Sequence, residues 1–208
     1  MGVDLSDLIR GLRAQVLEQT DWDAVLDEGA VRTVREKRSL DRVTAIHKWL
    51  QWYGVFQGLT GEQRLTVTTA ALDWADRREA ETPLDSPESI AFAHEQLEAS
   101  CSAAYGCNRS FLSLASKVLW LCSPDTVPIF DTYARNAIYF FSKLDHEIPR
   151  IEKEWSPYRK YVTVWLFLYE KYRNPIEEIQ SAECPHRVRV FDRVLWVLGK
   201  PGYGTHER

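Results

Sequence analysis

Apolar residues recur at helical spacing along most of the chain. Leu5, Leu8, Ile9, Leu12, Val16 and Leu17 predict a first helix, and 21–26 a short second one stopped near Gly29. The charged run 30–38 is ambiguous. Ser39 is placed to cap a helix carrying Val43, Ile46, Leu50, Tyr53 and Val55, closed by Gly58. Thr60 and Gln63 have capping-box spacing ahead of Leu65, Val67, Leu72 and Trp74. That helix fades in the charged segment 76–81, and Pro83 marks a loop. Ser86 before Pro87 opens a further helix with Ile90, Phe92, Ala93 and Leu97, ending near Gly106. A turn at 107–110 leads into the most apolar helix, 110–122. A loop with two prolines follows, and Asp131 opens a helix through Ala134, Ala137, Ile138 and Phe141, ending near Asp145. Ser156 and Pro157 repeat the cap-plus-proline signal before Tyr161, Val164, Trp165, Leu168 and Tyr172, with a stop at Asn174–Pro175 and one more short turn over 175–180. The last helix covers 186–198 and ends at Gly199. Few segments alternate with period two, and no Asn-Gly hairpin signal occurs. The expected fold is all-α: about eight to ten helices with short links, a globular multi-helix domain rather than a solenoid.

At 208 residues, 45% of them apolar, the chain can bury one core or two small lobes sharing one. The expected division is an acidic helical lobe over 1–106, a second helical lobe over 107–199, and a tail over 200–208. The net charge of −4 argues against a generic nucleic-acid binder, but it is unevenly spread. Residues 1–108 hold 11 Lys+Arg against 18 Asp+Glu, a net of −7; residues 109–208 hold 15 against 12, a net of +3. A mildly basic half permits a local phosphate-binding face without requiring one. Cys101, Cys107, Cys122 and Cys184 include no Cys-x-x-Cys pair and have no His at ligand spacing, so neither a disulfide framework nor a metal site is expected. Cys122 reads as a small core residue. The N-terminus has no basic region followed by an apolar run, and no stretch of about 18 apolar residues occurs. A reducing cytoplasm and no membrane partner are the expectation.

Lys117 and Asp131 carry the candidate chemistry. Lys117 lies among Leu114, Ala115, Val118, Leu119 and Leu121, with apolar residues over most of the helical wheel. A buried ammonium is costly unless paired, and desolvation favours its neutral form. Asp131 follows the extended run 127–130, in which Pro128 excludes helix geometry for the residue before it. Two readings stand for each residue. Asp131 is a helix cap or a catalytic carboxylate; Lys117 snorkels or pairs, or it acts as a nucleophile.

The segments 115–121 (Ala-Ser-Lys-Val-Leu-Trp-Leu) and 124–132 (Pro-Asp-Thr-Val-Pro-Ile-Phe-Asp-Thr) resemble the helix-hairpin-helix DNA glycosylases. They look most like a bacterial group described as 8-oxoguanine-glycosylase-like, whose closing helix 189–199 also resembles. The likeness covers roughly 109–145 and 187–199. It implies excision of a damaged, oxidised purine from DNA by flipping the base into a pocket; the chain lacks the iron–sulfur cysteines of some family members, and no cofactor is expected. Asp131 would stabilise the developing oxocarbenium charge or activate the nucleophile, and Lys117 would form a Schiff base with the sugar. Trp120, Tyr133 and Arg135 would line the base site, and Arg109 and Ser110 would hold a backbone phosphate. The chain departs from the family pattern in three places. Cys107-Asn-Arg-Ser110 stands without glycine where the hairpin would be, leaving it degenerate. Lys117 and Asp131 are 14 residues apart, about one helical turn closer than in the family. Tyr133 replaces a histidine. A rival expectation is a catalytically inactive helical module that binds nucleic acid or a protein partner.

Overall fold

The fold is described from a computed structural model of the chain, covering residues 4–36, 41–78, 83–107, 109–179 and 186–201, with backbone alone for 19–23. Among the described residues the structure is all-α. Its ten helices are α1 (Leu5–Gly11), α2 (Arg13–Arg35), α3 (Arg42–Trp52), α4 (Gly61–Arg77), α5 (Pro87–Tyr105), α6 (Leu112–Cys122), α7 (Thr132–Leu144), α8 (Pro157–Lys171), α9 (Arg173–Ile179) and α10 (Arg187–Gly199). No helix among the described residues is long and apolar enough to cross a membrane. The cap expected at Ser39, Cys184 and the tail beyond Pro201 lie outside the described residues.

Local chemistry explains most of the boundaries. Thr60 accepts from the Gln63 N–H while the Gln63 side chain accepts from the Thr60 N–H, a full capping box for α4. Ser86 and Ser89 make the same reciprocal pair at α5, with Pro87 in the first turn. Gly106 ends α5 at φ 80°, a left-handed conformation costly for residues with a Cβ. Ser156 caps α8 ahead of Pro157.

Four boundaries differ from the sequence expectation. The first apolar run is broken at Leu12, which separates α1 from α2. Gly29 does not stop α2, which continues to Arg35. A helical glycine costs about 1 kcal/mol against alanine, whereas burying a valine contributes about 1.5–3 kcal/mol. Val31 and Val34 are both buried, so packing wins. The short helical turn expected over 175–180 is present as α9 but starts earlier, at Arg173; Pro175 stands in its first turn, where its missing N–H costs nothing. In the same way α3 ends at Trp52, short of Gly58.

The chain packs as two compact units. One comprises residues 1–24 and 128–208, the other residues 25–127. In the first, α7 packs chiefly on α10, α1 on α9, and α8 on both α7 and α9. Gly199 permits the first of these contacts: a Cβ there would lie 1.8 Å from the Tyr133 carbonyl oxygen. Its core includes Phe141, Tyr158, Trp165 and Phe191, all at 0% exposure. In the second unit α4 packs on α3, α5 and α6, and α5 also packs on α6. Its core includes Ile46, Leu50, Val67, Ile90, Leu97 and Trp120. The most apolar helix, α6, therefore groups with the helices before it, whereas the sequence reading set it with those after it.

Candidate functional site

In the unit of residues 25–127, helix α6 presents Lys117. Every residue from Leu114 to Leu121 is buried. The α6 N-terminus has no capping side chain of its own, and α5 supplies one. Glu98 Oε1 accepts from the Phe111 N–H at 2.8 Å and from the Ser110 hydroxyl at 2.7 Å. His94 Nε2 is 2.9 Å from the Leu112 carbonyl oxygen. Burial lowers the His94 pKa against the opposing effects of that bond and of Glu98, so the ring favours its neutral form.

Lys117 is only 3% exposed. Its ammonium donates to Ser113 Oγ at 2.8 Å, one turn earlier, and lies 5.7 Å from the Tyr53 ring centroid. Tyr53 in turn donates its hydroxyl to Asp27 Oδ1 at 2.7 Å, and the Trp49 indole donates to the same oxygen at 3.1 Å. Trp49 stacks nearly parallel to Trp120, with centroids 6.0 Å apart. Asp27, Trp49, Tyr53, Ser113 and Lys117 thus form one connected cluster, with Trp120 stacked on its edge. A desolvated cation–π contact is worth about 2 kcal/mol, and a hydrogen bond to a charged group about 1.5–3 kcal/mol. Together they offset part of the cost of burying the amine. The chemistry available here is an amine held away from bulk water, oriented by a hydroxyl and an aromatic face.

In the unit of residues 1–24 and 128–208, Asp131 caps α7. Its backbone is extended, and Oδ1 accepts from the Ala134 N–H at 2.8 Å. Oδ2 accepts no hydrogen bond among the described residues, so half of the carboxylate is uncommitted. The chain leading to it is clamped. Tyr158 donates to the Pro128 carbonyl at 2.9 Å, Tyr161 to the Ile129 carbonyl at 2.8 Å, and the Ile129 N–H donates to Asp192 Oδ2 at 3.0 Å. Asp192 Oδ1 accepts from the Trp165 indole at 2.9 Å. Phe130 sits edge-on to Tyr161 at 5.0 Å. Burial pushes the Asp192 carboxyl up to about 8, against Arg189 and its two N–H donors, with Asp131 adding to the rise. Burial likewise raises the Tyr158 and Tyr161 hydroxyls, which stay protonated donors.

The other predicted site residues fall as follows. Trp120 is fully buried. Tyr133 is half-buried and edge-on to Trp196 at 5.8 Å, and the Lys200 ammonium stands 3.5 Å from the Trp196 ring centroid. Arg135 is exposed on the first turn of α7 and makes no ion pair with Asp131 among the described residues. Arg109 donates to the Gln57 carbonyl and lies against both the Tyr105 and Phe111 rings, 5.9 and 5.8 Å from their centroids. Arg109 and Ser110 are thus both engaged by protein groups, and the carboxylate of Glu98 opposes an anion beside Ser110. Lys117, Trp120, Arg109 and Ser110 belong to one unit, and Asp131, Tyr133 and Arg135 to the other.

Sequence reasoning missed the parts played by Asp27, Tyr53, Ser113 and Asp192. Ser113 had a local signal, since it stands four residues before Lys117 on the same helical face. Asp27 and Asp192 had none, because their partners lie 26 and 63 residues away.

Fold and sites together define an all-α, multi-helix protein with a buried lysine in one unit and a half-engaged helix-capping carboxylate in the other. No family model, curated protein or solved structure matches the chain.

Proposed function

We propose that this protein is a DNA-glycosylase-like enzyme of base excision, acting on an oxidised purine. The observation that carries the reading is Asp131, a carboxylate fixed by one oxygen at the start of α7 with its second oxygen uncommitted among the described residues. A catalytic carboxylate needs that combination. It must be held against rotation and still present charge to a sugar that becomes cationic as the C1′–N bond breaks. The clamp on 128–130 supplies the rigidity. Lys117 is the nucleophile in this reading. After losing a proton, its nitrogen bonds C1′ while the base leaves with the glycosidic electron pair and takes up a proton. Ring opening then gives a Schiff base.

The test is borohydride trapping and strand scission on an 8-oxoguanine duplex. The parent protein is expected to yield a covalent adduct, Lys117→Met to yield none, and Asp131→Asn to slow excision by about a hundredfold or more. No adduct and no cleavage at any protein concentration would overturn the activity.

A second reading is a non-catalytic helical module that binds nucleic acid or a protein partner. The internal engagement of Arg109 and Ser110, and the Lys117 bond to Ser113, favour it. It gains support if the Lys117→Met protein keeps full binding to its target and the parent never traps.

A further inference from the structure

A concave feature lies wholly within the unit of residues 25–127 and is lined by neither Lys117 nor Asp131. It is a cleft of about 370 Å³ between α4 and α5. That is within the ~300–1,000 Å³ range of small-ligand sites. Trp74, only 8% exposed, is buried at its base, and Phe92, 62% exposed, lies on its rim. The core face of α5 is made by Ile90, Ala93, His94, Leu97 and Cys101, so Phe92 is turned away from the packing that stabilises its helix. One exposed aromatic is ordinary on a protein surface. Here it borders a cavity whose charged lining, among the described residues, is cationic. Arg77 and Arg78 line it together with Ser89 and Gln96, and none of the described lining residues is acidic. The nearby Asp76 is committed to Arg42 at 2.7 Å. Arg78 lies over the Trp74 ring, 5.7 Å from its centroid, which orients the guanidinium. Arg77 is exposed and makes no ion pair among the described residues.

We propose that this cleft binds a flat aromatic ring bearing a phosphate, either a free nucleoside monophosphate or one nucleotide of a single strand. The ring stacks on Phe92, and the phosphate is held by Arg77 and Arg78. Arginine suits the second task because its planar fork matches phosphate oxygens two at a time. Stacking is indifferent to which base is offered, since every base has a π-face. Gln96 supplies a side-chain amide to the base edge. Burial lowers the pKa of Arg78 from its ordinary value, as expected of a guanidinium drawn partly out of water, and a bound phosphate would oppose that change.

The test is calorimetric titration of the full chain with 2′-deoxyadenosine 5′-monophosphate, 2′-deoxyadenosine, inorganic phosphate and a short single-stranded oligodeoxynucleotide. The monophosphate is expected to bind at least about tenfold more tightly than the nucleoside or phosphate alone, because only it uses both halves of the site. Phe92→Ala and Arg77→Ala should each weaken binding by about tenfold. Both side chains are exposed, so the thermal midpoint should not move, and loss of binding cannot be ascribed to unfolding. If the oligonucleotide alone binds and both substitutions weaken it, the nucleotide comes from a strand. No binding at millimolar ligand, or binding undiminished in both variants, overturns the proposal. Excision activity, present or absent, does not enter these readouts.

Discussion

The Asp192 carboxyl receives the Ile129 N–H and the Trp165 indole N–H where its side chain is almost wholly withdrawn from water. Burial raises its pKa to about 8, so between the ordinary carboxylate value of about 4 and that point the folded state holds a proton that the unfolded chain has released. The resulting stabilisation is full below about pH 4 and is lost as pH rises through about 8. Urea denaturation at a series of pH values should show stability declining over this window. Asp192→Asn should flatten that part of the profile while costing about 1–3 kcal/mol, because its amide cannot accept from both N–H groups. An unchanged profile in the variant would rule out this source of pH dependence. At this scale the sequence was half legible. Lys117 is buried and Asp131 caps a helix, as the local pattern predicted. The companions of those residues were not visible, because Tyr53, Asp27 and Asp192 reach them through packing over long sequence separations.

Helices were legible wherever a cap or a proline marks the end. The Thr60, Ser86, Asp131 and Ser156 starts, and the Gly106 stop, are all local hydrogen-bonding chemistry and were read correctly. Thr60→Ala removes the acceptor for the Gln63 N–H and should cost about 1 kcal/mol, read as a lower urea midpoint. An unshifted midpoint would show that α4 does not depend on its box. Gly199 is a different case, for which the sequence offered only a helix end. Its Cα faces the backbone of α7, where an added methyl would meet the Tyr133 carbonyl oxygen at 1.8 Å and carbon at 2.5 Å. Backbone cannot rotate away as a side chain can. Gly199→Ala should therefore destabilise the protein by about 1–3 kcal/mol, and an unaltered urea midpoint would mean that α7 and α10 separate at little cost.

For the whole molecule, the net of −7 over residues 1–108 and +3 over 109–208 makes phosphate-driven binding testable by salt. If the protein binds DNA through its backbone, a gel shift seen at about 50 mM salt should weaken more than about tenfold by about 200 mM. A protein partner becomes the better reading if no shift occurs even at low salt. The sequence by itself determined the all-α class, most helix starts, the apolar character of α6 and the division of charge. These depend on interactions within a few residues or on composition alone. Only the tertiary structure decided that α6 packs with α4 and α5, that Glu98 caps it, and that Asp27 and Tyr53 stand beside Lys117. It likewise decided that Asp192 and two tyrosines hold the chain leading to Asp131. Buried polar groups must find partners wherever packing brings donors and acceptors together, and that choice is written in no local pattern.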